Sequence, residues 1–420
     1  MLRYPAMSGS PSLTIGFLAW RKGFLKVAGA LIQAALARGH RVVLLWHPGE
    51  AKPGEAVTGS DLAGWPAAER VEYRTGSPLG PLLTTHGVEA LVAPSLHLLL
   101  RALGLEREAE DMRRAGVRLY SIDYVLETVT SDPAGYRLLD TTFYASAYQR
   151  DLHRRLMARE FAALGGVDLD ARSAVCGSTM LDQLALVDRA AVRKRYGLEP
   201  DRPVVLLMSL KMAVPDPWRK RVWGRGPRWI RAGVAYAAGH GALVGDILRT
   251  PSYRDLTTAL RGFTDRSGAV LVVKSREKNQ DPRFLRDEAD VFVFDETLFP
   301  YTSIELMAIA DLCVHFQSGA VLEAAFAGVP SLSIKVSQRH LKEYASLDEL
   351  YGGHPEGLQN FAGVVWSVDA GEAVTLVGRS RLGDFRIDPD ARGRYVEKFL
   401  GFDDTRSSER VLDVIERQLG

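Results

Sequence analysis

The run Ala310 to Ile334, ADLCVHFQSGAVLEAAFAGVPSLSI, gathers the residue types best able to hold a charged small molecule. Its apolar opening reads as a buried strand ending at Gln317-Ser318-Gly319, and a helix begins at once with Ala320. The first-turn N–H groups of a helix have no partners inside it, and with the helix dipole they favour an anion. Gln317, Ser318, Gly319 and Ala320 therefore read as a seat for a phosphate or diphosphate. Gly319, without a side chain, would let the ligand approach the backbone. Glu323 stands among Val321, Leu322, Ala324 and Ala325, placed to accept hydrogen bonds from vicinal hydroxyls such as those of a ribose. Acids are also favoured in first turns with no ligand at all, and both readings stand.

A second group lies where the apolar run Ala269 to Val273 ends in Lys274-Ser275-Arg276-Glu277-Lys278. Cations at the carboxyl end of a strand can neutralise a leaving diphosphate in place of a metal ion. Arg276 is the best suited, because its planar fork matches phosphate, with Lys274 and Lys278 beside it; a solvated charged turn is the alternative. A transfer to a hydroxyl also needs a base. Asp123, after the strand Leu119 to Ile122 and near Glu127, is the first candidate. His97, after Pro94-Ser95, is the second, although a lone histidine beside an apolar helix is more often a packed residue than a catalyst. His240, flanked by Gly239 and Gly241, and the turn Asp295-Glu296-Thr297 carry weaker signals.

Acceptor contacts are sought in two places. Arg21 and Lys22 follow the first strand and could touch a phosphate, or simply flank a helix start. The run Asp216 to Arg231, DPWRKRVWGRGPRWIR, has no acid after Asp216 and includes Arg219, Arg221 and Trp223. Such a run can grip an anionic acceptor, a lipid diphosphate headgroup or a membrane surface. Its tryptophans could instead cover a helix while the arginines are solvated.

The 53 basic residues nearly balance 51 acidic ones, so no nucleic-acid partner is expected. Cys176 and Cys313 support neither a disulfide framework nor a metal site, and a reducing compartment follows. Met1 to Ser10 lack an apolar signal core and later apolar runs are short, so a cytoplasmic protein is expected, with peripheral contact at the inner membrane face left open. The sequence contains no P-loop, H-E-x-x-H, nucleophile elbow or G-x-G-x-x-G. Neither a metal nor a cofactor is expected beyond a nucleotide-activated substrate.

The elements that must position these residues alternate. Leu13 to Trp20 reads as a strand, Leu25 to Leu36 as a helix stopped by Gly39, and Val42 to Trp46 as a strand, a βαβ opening. Further strands are expected at Ala90–Ala93, Val117–Ile122 and Ala174–Cys176, with helices over about 98–114, 146–164 and 180–196. After the turn-rich Gly197 to Pro203, a second set starts at Val204 and runs through 269–274, 291–294, 312–316 and 331–334. With 420 residues, two domains are expected. They are an N-terminal Rossmann-like acceptor domain at 1–185, a linker at 186–203, a nucleotide-donor domain at 204–390, and C-terminal helices at 391–420 that can pack back on the first domain.

The run Ser318-Gly319-Ala320-Val321-Leu322-Glu323-Ala324, closed by Gly328-Val329-Pro330, resembles the donor-site signature of GT-B glycosyltransferases and their relatives. These include CDP-glycerol glycerophosphotransferases, lipid A disaccharide synthase and UDP-N-acetylglucosamine 2-epimerase. In that superfamily an S-G-x-x-x-E-A run holds the nucleotide's phosphates and ribose, which implies Ser318, Gly319 and Ala320 on phosphate and Glu323 on ribose. Val175 to Asp182 is similar to the family's V-x-G-N/S-P-x-x-D turn, with Thr179 in place of proline. Ala269 to Lys278 resembles the strand end of glycerophosphotransferases, without their His-Pro pair. The resemblance implies an α/β chain of two doubly wound domains facing across a cleft. It further implies metal-independent transfer of a sugar or polyol phosphate from a nucleotide donor to a glycan or lipid-linked acceptor. A 2-epimerase or hydrolase of the same fold is one alternative, although no His-x-Glu run is found in the N-terminal half; a non-catalytic nucleotide-sugar-binding protein is the other.

Overall fold

The computed structural model describes residues 12–47, 55–74, 78–102, 104, 106–123, 133–163, 166–209, 228–239, 241, 244, 253–275, 281, 283–294, 297–335, 350 and 354–420. The chain divides into two compact units. The first comprises Met1–Val187, Thr297–Ile304 and Val396–Gly420; the second comprises Asp188–Glu296 and Glu305–Tyr395.

The first unit is built on β1 (Thr14–Ala19), β2 (Arg41–Trp46), β3 (Glu69–Glu72), β4 (Ala90–Pro94), β5 (Arg118–Asp123), β6 (Thr141–Tyr144) and β7 (Ser173–Val175). They form a seven-stranded sheet in the order β3-β2-β1-β4-β5-β6-β7, every pairing parallel. The second unit holds β8 (Val204–Met208), β9 (Val270–Lys274), β10 (Val291–Val293), β11 (Leu312–His315), β12 (Ser331–Ile334), β13 (Glu356–Gly357), β14 (Asn360–Phe361) and β15 (Val365–Val368). Its main sheet runs β10-β9-β8-β11-β12-β15, also parallel, while β13 and β14 form a small antiparallel pair.

Parallel strands covered by helices on both faces lose their alternation and become continuous apolar runs. The five residues of β8, VVLLM, are all buried, as are the four of β11. In each unit the chain builds outward from its first strand through two neighbours, then returns to build the other way. Each sheet thus has the doubly wound order 3-2-1-4-5-6, extended by a seventh strand in the first unit, with a switch point where the order reverses, β1 beside β4 and β8 beside β11. Ligands of open α/β sheets bind outside the carboxyl ends of strands at such points.

The helix Lys22–Ala37 buries Leu25, Ala28, Leu31, Ile32 and Ala35 and ends before Gly39, whose φ of 86° suits glycine. Two long helices expected from the sequence are each broken. Residues 98–114 form Leu96–Ala102 and Glu106–Arg114 around Gly104 at φ 65°, and 146–164 form Ala147–Leu156 and Ala158–Ala163. The stretch 180–196 is a 3₁₀ turn, Leu181–Leu186, followed by a helix Arg189–Arg195 capped by Asp188, whose carboxylate accepts the Ala191 N–H. Among the described residues no helix is long and apolar enough to cross a membrane.

Candidate active site

The strand β11 delivers its last residue, His315, to the switch point of the second sheet, and the turn Phe316–Gly319 leads into the helix Ala320–Ala327. Gln317 sits at φ 41°, a left-handed conformation costly for a side-chain-bearing residue. Three bonds hold the turn. The Ser318 N–H donates to Nδ1 of His315 at 3.4 Å, Nε2 of Gln359 donates to the Ser318 carbonyl at 3.1 Å, and Gln359 in turn accepts from the Ser333 hydroxyl at 2.8 Å. Gln359 and Ser333 are buried, so the turn is anchored from beneath by the next strand, β12, and by the loop between β13 and β14.

The expectation of unpaired first-turn amides needs correction. The Ala320 N–H reaches the Ser318 hydroxyl at 3.4 Å, Val321 reaches the Ser318 carbonyl at 3.3 Å, and Leu322 reaches the Gly319 carbonyl at 3.0 Å. The first two lie beyond the 2.7–3.2 Å range of a well-formed N–H···O bond, so an incoming anion would displace weak bonds rather than meet bare donors. Gly319, at φ −60°, needs no glycine for its backbone; a Cβ there would meet nothing within 4 Å, so what it contributes is open space above the helix start. Glu323 is buried in the first turn at 7% exposure. At its far end the helix stops at Gly328, φ 73°, and Arg392 donates to the Ala325 and Phe326 carbonyls at 2.8 and 2.7 Å, satisfying groups the helix leaves open.

Burial lowers the pKa of His315 to about 3, so its ring is neutral and Nδ1 is free to accept. Burial and the nearby Glu323 carboxylate raise the Cys313 thiol well above its usual value. Cys176 is likewise pushed up to about 12 by burial, so both cysteines are reduced and poor nucleophiles.

Lys274, expected as an open cation, is 2% exposed, and its ammonium turns back to the Ser275 carbonyl at 2.7 Å. The Ser275 hydroxyl donates to Asp281 at 2.5 Å. Arg276 and Lys278 lie outside the described residues, as do Arg219, Arg221, Trp223, Glu127, His240, Asp295 and Glu296. Thr297 belongs to the first unit, where its hydroxyl pairs with that of Thr302 at 2.9 Å.

In the first unit the fold brings Asp123 and His97 together from strand β5 and the helix Leu96–Ala102. His97 Nδ1 is 3.6 Å from one Asp123 oxygen, and the Tyr136 hydroxyl donates to the other at 2.8 Å. His153 Nδ1 stands 3.4 Å from that second oxygen without hydrogen-bond alignment. The Tyr136 ring stacks on His97 at 4.3 Å, and Gln149 donates to the Asp123 carbonyl at 3.0 Å. Asp123, His97 and His153 are 2%, 1% and 0% exposed. Burial alone would raise the Asp123 pKa, but the field of His97 and the contacts of His153 and Tyr136 outweigh it and hold the carboxyl below its usual value. A base expected to face an acceptor is instead covered, and its geometry suits holding the two imidazoles. His153 and Tyr136 escaped the sequence reading because nothing local links them to Asp123.

Arg21 and Lys22, at the carboxyl end of β1, already face carboxylates: Arg21 lies 3.6 Å from Glu55 and Lys22 lies 3.4 Å from Asp61. Arg21 is half exposed, and an ion pair of this kind is worth at most about 1 kcal/mol, whereas Lys22 and Asp61 are largely covered. The turn Val175–Asp182 has a structural task. Gly177 is at φ 90°, where a Cβ would stand 2.4 Å from the Ser407 hydroxyl oxygen. The Thr179 hydroxyl donates to the Val27 carbonyl at 2.8 Å, and Asp182 accepts the Ser407 and Ser408 N–H groups at 3.1 and 2.6 Å.

Gln317 has a counterpart. The two side-chain-bearing residues with positive φ among those described are Gln317 and Ser95, at φ 50°. Each follows the fourth strand of its unit at the switch point, β11 and β4. Backbone strain of this kind persists where surrounding structure imposes it, and it concentrates at functional turns.

No protein-family model matches the chain, and no curated protein matches it in sequence. Solved structures do match in fold. The UDP-GlcNAc 2-epimerase from Neisseria meningitidis bound to UDP-GlcNAc superposes with a TM-score of 0.58 at 9% identity, over 96% of this chain and 100% of that one. The UDP-GlcNAc 2-epimerase from Methanocaldococcus jannaschii gives 0.56 at 11%, over 96% and 100%. The wall teichoic acid polymerase TagF, soaked with CDPG, gives 0.53 at 12%, over 97% and 88%. Two doubly wound parallel sheets in one polypeptide, matched over nearly the full length of these proteins, show that the chain has the GT-B fold, two Rossmann-like domains of the α/β class.

Proposed function

We propose that the protein is an enzyme acting on a nucleotide-activated sugar or polyol, and that it transfers the activated group to a glycan or lipid-linked acceptor. The observation that carries this reading is the anchored turn at the carboxyl end of β11: a strained Gln317, weakly bonded amides at Ala320 and Val321, open space at Gly319 and a buried Glu323 in the first turn. The diphosphate would rest on the amides and the Ser318 hydroxyl, with the ribose hydroxyls on Glu323. Developing charge on the leaving diphosphate is then stabilised by fixed dipoles and by Arg276, without a metal ion.

2-Epimerisation or hydrolysis of the nucleotide sugar is the second reading. It is favoured by the near-complete mutual coverage with two structures named as UDP-GlcNAc 2-epimerases. Incubating the protein with UDP-GlcNAc and related donors, with and without lipid-linked or glycan acceptors, separates the two. Nucleoside diphosphate release that requires an acceptor is the expected outcome. Conversion of the sugar nucleotide without any acceptor would support the second reading, and binding of nucleotide with no turnover under either condition would oppose both.

A further inference from the structure

Four of the five large hydrophobic side chains exposed among the described residues lie on one ten-residue helix, Arg228–Ala237. Trp229 is 71% exposed, Ile230 42%, Val234 47% and Tyr236 75%. Ala232 and Ala235 are buried, so the helix rests on its small residues. At 100° per residue, Trp229, Tyr236, Ile230 and Val234 fall within an arc of about 160°, with Ile230 and Val234 across from Ala232 and Ala235 and Tyr236 and Trp229 at the edge of that arc nearer Ala232. A soluble helix normally turns its large apolar side chains inward and its small or polar ones outward; here the arrangement is reversed.

What covers this face is indicated by charge. From Pro217 to Gly245 the sequence contains no acidic residue, although acids are otherwise nearly as common as bases in the chain. The same stretch carries Arg219, Lys220, Arg221, Arg225, Arg228 and Arg231, and three of the seven tryptophans, Trp218, Trp223 and Trp229. Tryptophan and tyrosine are the side chains best suited to the headgroup layer, and arginine and lysine are attracted to anionic lipid. We propose that the helix Arg228–Ala237 is a membrane-docking element that lies in the surface of an anionic bilayer and inserts Trp229, Ile230, Val234 and Tyr236, the excess of positive charge in the surrounding sequence favouring anionic lipid. This reading does not depend on the chemistry assigned to the nucleotide site.

The full-length protein is sedimented with vesicles of phosphatidylcholine alone or with about 30% phosphatidylglycerol, in low and in raised salt. The expected result is binding to the anionic vesicles that weakens with salt, accompanied by a blue shift of tryptophan emission. Replacing Trp229→Ser together with Ile230→Ser should weaken binding by about tenfold or more while leaving the thermal midpoint unchanged, because both side chains are exposed. Phe294→Ser, at the fifth exposed position, should leave vesicle binding unaltered. Failure to sediment with anionic vesicles, or equal sedimentation by the double variant, would overturn the proposal. So would self-association without vesicles that the double variant abolishes, which would give the face to a second copy of the chain.

Discussion

The strand end and helix start that hold Ser318, Gly319, Ala320 and Glu323 can be read from sequence because the physics of a helix start is local: a strand end, a small residue and a first-turn acid lie within a dozen positions. The groups that make the turn rigid are not local. Gln359 reaches Ser318 across 41 residues, and Arg392 reaches Ala325 across 67. Gln359→Ala should therefore lower nucleotide affinity without touching the ligand, by releasing the Ser318 carbonyl and leaving the Ser333 hydroxyl unmatched. A loss of about 3- to 10-fold by titration calorimetry is expected, the scale of one neutral hydrogen bond. His315 gives a pH signature. Its folded pKa is depressed from 6.5 to about 3, so the native state refuses a proton that the unfolded chain accepts. Stability from this group is complete above about pH 6.5 and is lost as pH falls toward 3. Carboxylates titrate in the lower part of the same range, so the measurement is the difference between wild type and His315→Asn in melts from pH 7 to 4: the wild type should fall more steeply.

Among the elements, continuous apolar strands and the Gly39 stop follow from pattern alone, whereas the helix breaks at Gly104 and at Met157 do not. An isolated glycine or methionine in a helical pattern carries no sign that the chain turns there. The turn Val175–Asp182 shows how a motif can be legible while its purpose is not. Its glycine and aspartate seat the N-terminus of the helix Ser407–Leu419, more than 220 residues away. Gly177→Ala should cost about 1–3 kcal/mol in denaturant unfolding, because both its positive φ and the adjacent Ser407 oppose a Cβ. Burial raises the Asp182 carboxyl to about 6 from 3.8, although the Ser408 and Ser407 N–H groups pull it down. Since the folded value is the higher one, the native state keeps a proton that the unfolded chain has released. This group's contribution therefore declines as pH rises from about 4 to about 6. Asp182→Asn should remove that slope, which unfolding curves across the window can read.

At the scale of the molecule, the alternation of strands and helices was enough to anticipate two doubly wound sheets. Their strand order required the strands β3, β6 and β15, whose runs ERVE, TTFY and VWSV mix polar with apolar residues and do not stand out in the sequence. The first unit also recruits two distant segments. Phe299 packs against Trp65 at 5.0 Å and fills the space above Gly29, while Val411, Leu412 and Ile415 join Leu31, Ile32 and Ala35 in its core. The central claim concerns the second unit, that the turn from Gln317 to Glu323 holds a nucleoside diphosphate. A thermal-shift series with UDP, CDP, GDP, dTDP and CMP, run on wild type and on Glu323→Ala, tests it most directly. A ligand at 100 times its dissociation constant adds about 2.7 kcal/mol to the native state, enough to move the midpoint by several degrees. The account predicts a shift with at least one nucleoside diphosphate and a much smaller shift in Glu323→Ala. No shift with any nucleotide, or an equal shift in the variant, would contradict it.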